Sequence, residues 1–278
     1  LKTDLHIHTN QSDGSLKVEE ILQISSLKGM DIVAITDHET TSGVTKAQNI
    51  ATNYGIRIIP GLELNTYYKN HEIHLLGYYR DINNDYLQAK LEQIRKERTD
   101  VTKLMLGKLK DLGLMLEWQE IENTASYEGV VSKSHIIYTI WNKTERDQNL
   151  TINWDNLASC LRPGGTAYIP YEGNPFPDAV DLILETGGLP VLAHPGLIID
   201  QSLTEDLLSY KPIGIEVYYG YWVQREEKIA YFEELSRKYR TLATGGSDYH
   251  GFFSPVEIGE VPVPEKCVLD LMEYLQID

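Results

Sequence analysis

The sequence predicts an α/β fold built on a parallel sheet or barrel, and three observations carry that expectation. Short β-branched runs alternate with helical patterns over the first 80 residues. The alternation breaks off near residue 83 and resumes after Arg162. With 278 residues the chain is long enough for one large α/β barrel or two smaller domains.

In chain order, residues 4–9 read as a strand and 18–28 as a helix ended by Gly29. Residues 31–36 (DIVAIT) form a buried strand, 44–54 a helix, 56–59 the next strand and 72–78 another. Residues 86–110 form a long charged helix, with Leu87, Leu91, Ile94, Val101 and Leu104 at helical spacing. Two shorter helical pieces follow at 112–116 and 130–141, and 144–156 reads as a polar loop. Beyond Arg162 come helices over 178–185, 223–239 and 267–275, with strands at 189–193, 214–218 and 241–244. The expected organisation is a barrel-forming unit over 1–82 and 162–278, interrupted by a mostly helical insert over 83–161.

Composition excludes several classes. The residues are 42% hydrophobic and 24% charged, as in ordinary globular proteins. No stretch nears the roughly 20 apolar residues that span a bilayer, and the N-terminus does not read as a signal peptide. Two distant cysteines, Cys160 and Cys267, offer neither a disulfide framework nor a thiolate metal site, so a cytoplasmic location is expected. A formal charge of −16 argues against coating a nucleic-acid duplex, though not against a small phosphorylated substrate.

Six of the eight histidines fall at or just beyond expected strand ends: His6 and His8 in DLHIHT, then His38, His74, His194 and His250. In parallel α/β folds the C-terminal strand ends converge on one face, where active sites are built. His6 and His8 are two apart on a strand, so both imidazoles point the same way. Asp13, Asp37, Glu63 and Asp248 occupy the same sort of position. A nitrogen and carboxylate set without Cys suits Mn²⁺, Fe²⁺ or Zn²⁺. One histidine by itself reads as a hydrogen-bonded core or surface residue; six at successive strand ends read as a metal centre.

The ordered motifs HxH, SDG, TDH, GxE, an interior His, AHP and GSDxH resemble the polymerase-and-histidinol-phosphatase (PHP) family over nearly the whole chain. The resemblance implies a distorted (β/α)₇ barrel and two or three divalent ions. It assigns His6, His8, Glu63 and Asp248 to one ion, and Glu63, His74 and His194 to a second. Asp13, His38 and His250 would hold a third, with Asp37 orienting a ligand or water.

The insert resembles that of the family's nucleotide-phosphatase branch. Residues 94–101 (IRKERTDV) are similar to its RxxR helix and 133–136 (KSHI) to its RPHI element, which implicates Arg98, Lys133 and His135 in binding a phosphate or ribose. Lys133 and Ser134 depart from the Arg-Pro of that pattern, and Lys offers a point charge rather than a bidentate fork. Tyr171 likewise stands where relatives often carry His. The ordinary reading of Arg95 and Arg98 is a solvated, salt-bridged helix face. Tyr67, Tyr68, Tyr78 and Tyr79 read as packing before base stacking, and the Gly245-Gly246 pair as a close backbone approach.

The function expected is hydrolysis of the phosphomonoester of a small nucleotide, a nucleoside 3′,5′-bisphosphate or monophosphate, by metal-activated hydroxide. Short oligoribonucleotide ends extend the same chemistry. Histidinol-phosphate or other small-molecule phosphatase activity is the alternative. An amidohydrolase is disfavoured because Glu63, not a Lys, stands at the bridging position. A polymerase-associated module and a non-enzymatic metal binder are weaker readings still.

Overall fold

The computed structural model describes every residue except 126–128, 147–151, 253 and 278. Among the described residues seven strands follow one another around a sheet in strict chain order. They are β1 (Thr3–Ile7), β2 (Ile32–Ile35), β3 (Arg57–Tyr68), β4 (His71–Tyr78), β5 (Leu189–Leu192), β6 (Gly214–Tyr219) and β7 (Ala243–Gly246). A bridge between Ile7 and Tyr249 brings the first strand alongside the last and nearly closes the barrel. Gly246 permits that closure, because a Cβ there would collide with the His6 backbone nitrogen.

The barrel is not wholly parallel. β4 runs antiparallel to both β3 and β5, which corrects the expected parallel sheet. The expected strand at 56–59 runs on to Tyr68, because at Pro60–Gly61 the strand changes partner. Arg57–Pro60 pair with β2 and Gly61–Tyr68 with β4, so the missing proline donor falls at the crossover rather than ending the strand.

Around the strands lie helices α1 (Val18–Leu27) and α2 (Ser42–Ile50), then α3 (Asp85–Asp111), α4 (Trp118–Glu122), α5 (Lys133–Arg146) and α6 (Trp154–Leu161). After these come α7 (Phe176–Glu185), α8 (Ser202–Tyr210), α9 (Arg225–Tyr239) and α10 (Glu265–Leu275). Caps set several starts. The Asn84 side chain accepts from the Leu87 amide at 3.0 Å, and Asn153 from Asn156 at 3.0 Å.

Four helical expectations need correction. Residues 112–116 are not helical, and the turn of helix comes later, at α4. The piece expected at 130–141 is α5, starting at Lys133 and running to Arg146. The expected loop at 144–156 therefore begins inside α5 and ends inside α6; residues 147–151 lie outside the described residues. Short α8, with Leu203, Leu207 and Leu208 inward, gave too little periodicity to be seen.

Three apolar clusters hold these parts. One joins strand residues such as Val33, Ile35 and Leu62 to α1, α2, α7, α8 and α9. A second joins Ile32, Ala34, Ile59, Leu76 and Tyr78 to Val268 and Leu271 of α10. Leu76 and Tyr78 share a face of β4 with His74, so this cluster lies beneath the histidines. The third belongs to α3–α6, around Leu106, Ile121, Ile136, Ile140 and Leu157, and its edge reaches Ile169. Among the described residues no helix is long and apolar enough to cross a membrane.

Candidate metal centre

The strands deliver their histidines and carboxylates to one spot. His6 lies in β1 and His8 one residue past it; His38, His194, Asp248 and His250 sit just beyond β2, β5 and β7. Glu63 lies inside β3. His74 does not stand at a strand end as expected; it lies inside β4, opposite Asn65. Because β4 runs backwards, its first half reaches the same mouth that the other strands reach with their ends.

His6 Nε2 and His8 Nε2 approach to 3.1 Å, and Asp248 Oδ1 lies 3.2 and 3.1 Å from them. Glu63 Oε2 lies 3.4 and 3.2 Å from the same two nitrogens. Ligand atoms held tetrahedrally at about 2.0–2.1 Å from an ion stand about 3.3 Å apart, which is the spacing found. The other Glu63 oxygen, Oε1, is 3.0 Å from His74 Nδ1 and 3.1 Å from His194 Nε2. Asp13 Oδ1 is 3.3 Å from His250 Nε2, 3.8 Å from His8 Nδ1 and 3.9 Å from His38 Nε2.

Among the described residues, three groups could each hold an ion: His6, His8, Glu63 and Asp248; His8, Asp13, His38 and His250; and His38, Glu63 and His74. His38 thus stands between two groups, its Nδ1 3.4 Å from Glu63 Oε2. The donor atoms fit cations on a second ground. His8 Nδ1, Asp13 Oδ1, His38 Nδ1 and Asp248 Oδ1 are buried without a hydrogen-bond partner, a costly state that a bound cation relieves.

Electrostatics agree. Burial pushes the Glu63 carboxyl up, yet His38, His6 and His74 hold it well below its ordinary value. His38 and His250 do the same for Asp13, and His6 and His250 for Asp248, each against burial. Burial draws the imidazoles down, but Asp248 and Glu63 push His8 up to about 10, and Glu63 and Glu72 push His74 up to about 9. His8 and His74 are thereby placed to hold protons where cations would sit, whereas burial, with His8 and His74 beside it, draws His38 well below its ordinary value.

Other residues hold the ligands in place. Asp37 accepts from the Thr9 amide and hydroxyl and from Ser12 Oγ, all at 2.7 Å, fixing the loop that carries Asp13. Sequence reasoning missed Glu216 on β6, whose Oε1 meets His6 Nδ1 at 2.9 Å while Oε2 accepts from the His194 amide at 2.7 Å. A lone acid inside the apolar run GIEVYY was its signal. Tyr219 donates to Asp248 Oδ2 at 2.8 Å, and Tyr221 to the Asp248 carbonyl. Glu39, His194 and Asp248 have positive φ of 50°, 28° and 52°, strain that clusters here as it does at functional sites.

The cluster opens into a cavity of about 260 Å³ whose walls include Asn65, Glu72, Arg98, Lys133, Ser134 and Leu197. Arg98 pairs with the buried Glu39 carboxylate, and Arg95 donates to the Glu39 carbonyl at 2.7 Å. Ser134 Oγ donates to Asp13 Oδ2 at 2.9 Å. His135 lies elsewhere: its Nδ1 accepts from the Ser132 amide at 3.1 Å, and it lines a separate, larger cavity with Tyr138 and Trp141. Tyr171 donates to Glu97 at 2.7 Å. Tyr78 and Tyr79 are fully buried, as packing required.

Comparison with known proteins agrees with this geometry. The family model described as the PHP domain matches residues 4–159. A phosphoribosyl 1,2-cyclic phosphate 1,2-diphosphodiesterase of Eggerthella lenta is 28% identical, over 91% of this chain and 95% of the relative. A 5′-3′ exoribonuclease of Salmonella typhimurium is also 28% identical, over 99% and 94%. A 3′,5′-nucleoside bisphosphate phosphatase of Chromobacterium violaceum is 27% identical, over 89% and 86%. A solved structure described as an amidohydrolase from Chromobacterium violaceum with bound sulfate superposes with a TM-score of 0.85 at 25% identity, covering 99% of this chain and 97% of the other. On this match, and on the convergent donor set at its barrel mouth, the chain belongs to the PHP-domain family of metal-dependent phosphoesterases.

Proposed function

We propose that the chain hydrolyses the phosphomonoester of a small nucleotide, with the barrel mouth doing the chemistry and the insert recognising the part that does not react. The observation that carries this reading is the convergence of eight donor side chains, several with buried unpartnered atoms, and of His194 beside Glu63, on one face of the barrel. His6, His8, Glu63 and Asp248 would hold one ion, Glu63 with His74 and His194 a second, and Asp13, His38 and His250 a third. Mn²⁺, Fe²⁺ or Zn²⁺ all suit such donors. Bound there, divalent ions supply a nucleophile from water at neutral pH and neutralise the phosphoryl oxygens.

The chain's own residues organise the rest. Glu216 fixes His6 and the backbone of His194 together, so two strands keep their ligands in register. Tyr219 orients Asp248, leaving its Oδ1 turned toward His6 and His8. The cavity of about 260 Å³ admits a small phosphorylated molecule and no duplex. Arg98, Ser132, Lys133 and Ser134 of the insert close one side of it, which limits water beside the reacting phosphate.

A second reading is favoured by the relatives that cleave diesters: the same mouth removing nucleotides from a short oligoribonucleotide end. One assay separates the two. Phosphate release from adenosine 5′-monophosphate, and mononucleotide release from a short oligoribonucleotide, are followed with Mn²⁺ and after chelation. Metal-dependent phosphate release from the monophosphate is expected. Turnover of the oligonucleotide without it would overturn the monoester reading, and full activity in the chelated protein would overturn the metal centre.

A further inference from the structure

The cations that reach the metal cavity are already matched by carboxylates. Arg98 is paired with Glu39, and the two side chains are 10% and 0% exposed. Lys133 Nζ lies 3.5 Å from Glu72 Oε1 and 5.6 Å from the centre of the Tyr168 ring. His135 is turned to the neighbouring cavity. Glu72 faces the metal cavity from β4, two residues before His74. It accepts from Tyr168 at 2.6 Å and from Asn65 Nδ2 at 3.2 Å, and lies 3.2 Å from His74 Nε2.

A second phosphate would bring nearly two negative charges to this wall. It would meet the Glu72 carboxylate, and it could draw Lys133 only by leaving that half-enclosed carboxylate short of its cation. A hydroxyl faces no such penalty, since it can donate to Glu72 and accept from Lys133 or Asn65. We infer that the non-reacting part of the substrate is an uncharged polyol such as a ribose, and that Glu72 selects it against a second phosphate. This rests on the phosphomonoesterase reading and narrows it to monophosphates, nucleoside or sugar.

The test compares kcat/KM of the Mn²⁺-loaded protein for adenosine 5′-monophosphate, ribose 5-phosphate and adenosine 3′,5′-bisphosphate. At least one monophosphate should exceed the bisphosphate by about tenfold or more, and the two monophosphates together show whether the base contributes. Glu72→Gln should narrow that gap by about tenfold, losing on monophosphates and gaining on the bisphosphate, while Glu72→Asp should preserve the preference. A wild-type protein that turns over the bisphosphate equally well or better overturns the inference. So does a Glu72→Gln variant that slows all three substrates alike, because Glu72 would then only position His74. Failure of the wild type on all three, and on an aryl phosphate as well, overturns the phosphomonoesterase reading beneath it.

Discussion

The floor and the roof of the cavity are built by opposite means. The floor is strands: its histidines and acids stand in a hydrogen-bonded ladder or in the short segments just past it, over an apolar cluster sealed by α10. The roof is helices with an apolar cluster of their own; the start of α3 joins the barrel core through Leu87 and Leu91, while over the cavity the roof meets the floor through polar side chains. Arg98 holds Glu39, Lys133 faces Glu72 and Ser134 holds Asp13, so each contact ends on a barrel carboxylate. Acids of one barrel face thus stand in two roles, clustered with histidines where ions would sit below and fastening the insert above.

The sharpest break between floor and roof is catalytic. Glu63→Ala removes the carboxylate that faces five histidines, and kcat should fall by about 10³-fold or more, with circular dichroism unchanged. A two- or threefold loss would remove Glu63 from the centre of the site.

Stability should separate the regions next. Glu39→Gln leaves the Arg98 guanidinium buried without its counter-charge, a loss of about 3–5 kcal/mol read by denaturant unfolding. An unchanged unfolding midpoint would show that the roof does not depend on that pair.

Proton exchange gives a third contrast, because it belongs to the floor. His8 and His74, raised to about 10 and 9, contribute stability that is complete below their ordinary value near 6.5 and is lost as pH rises through the raised values. The Tm of chelated protein should therefore fall between about pH 6.5 and 10. Divalent ions replace those protons, so adding Mn²⁺ at pH 7 should release acid into weak buffer and flatten the Tm profile. No proton release would mean that the ions bind elsewhere.

The smallest effect is expected within the roof. Asn153→Ala removes the cap of α6 and should cost about 1 kcal/mol, seen as faster amide exchange in α3–α6 with kcat nearly constant. Equal acceleration through the strands would join the two regions into one cooperative unit.

The floor was far more legible in the sequence than the roof, for a physical reason. A strand displays every second side chain on one face, so HxH, TDH, AHP and SDxH each announce which residues meet at the mouth. His74 escaped that logic in its setting, because nothing in HEIHLLG says that β4 runs backwards. A helix surface gives no such address. Whether Lys133 or His135 turns to the cavity depends on the rotation of α5, and the answer was Lys133. Glu39, Glu72 and Glu216 went unread because a single acid carries no periodic signal; their roles exist only once separate strands and helices meet.

Closure of the barrel has a further consequence for the timing of assembly. His6 and His8 come from the first strand, and their neighbours Asp248 and His250 follow the last, across the Ile7–Tyr249 bridge. During synthesis at about 5–20 residues per second, the first pair must wait roughly 12–50 s for the second. Until then the two imidazoles face solvent with half their partners unmade. An ion held by His6, His8 and Asp248 together would therefore be taken up only once the last strand has joined the first.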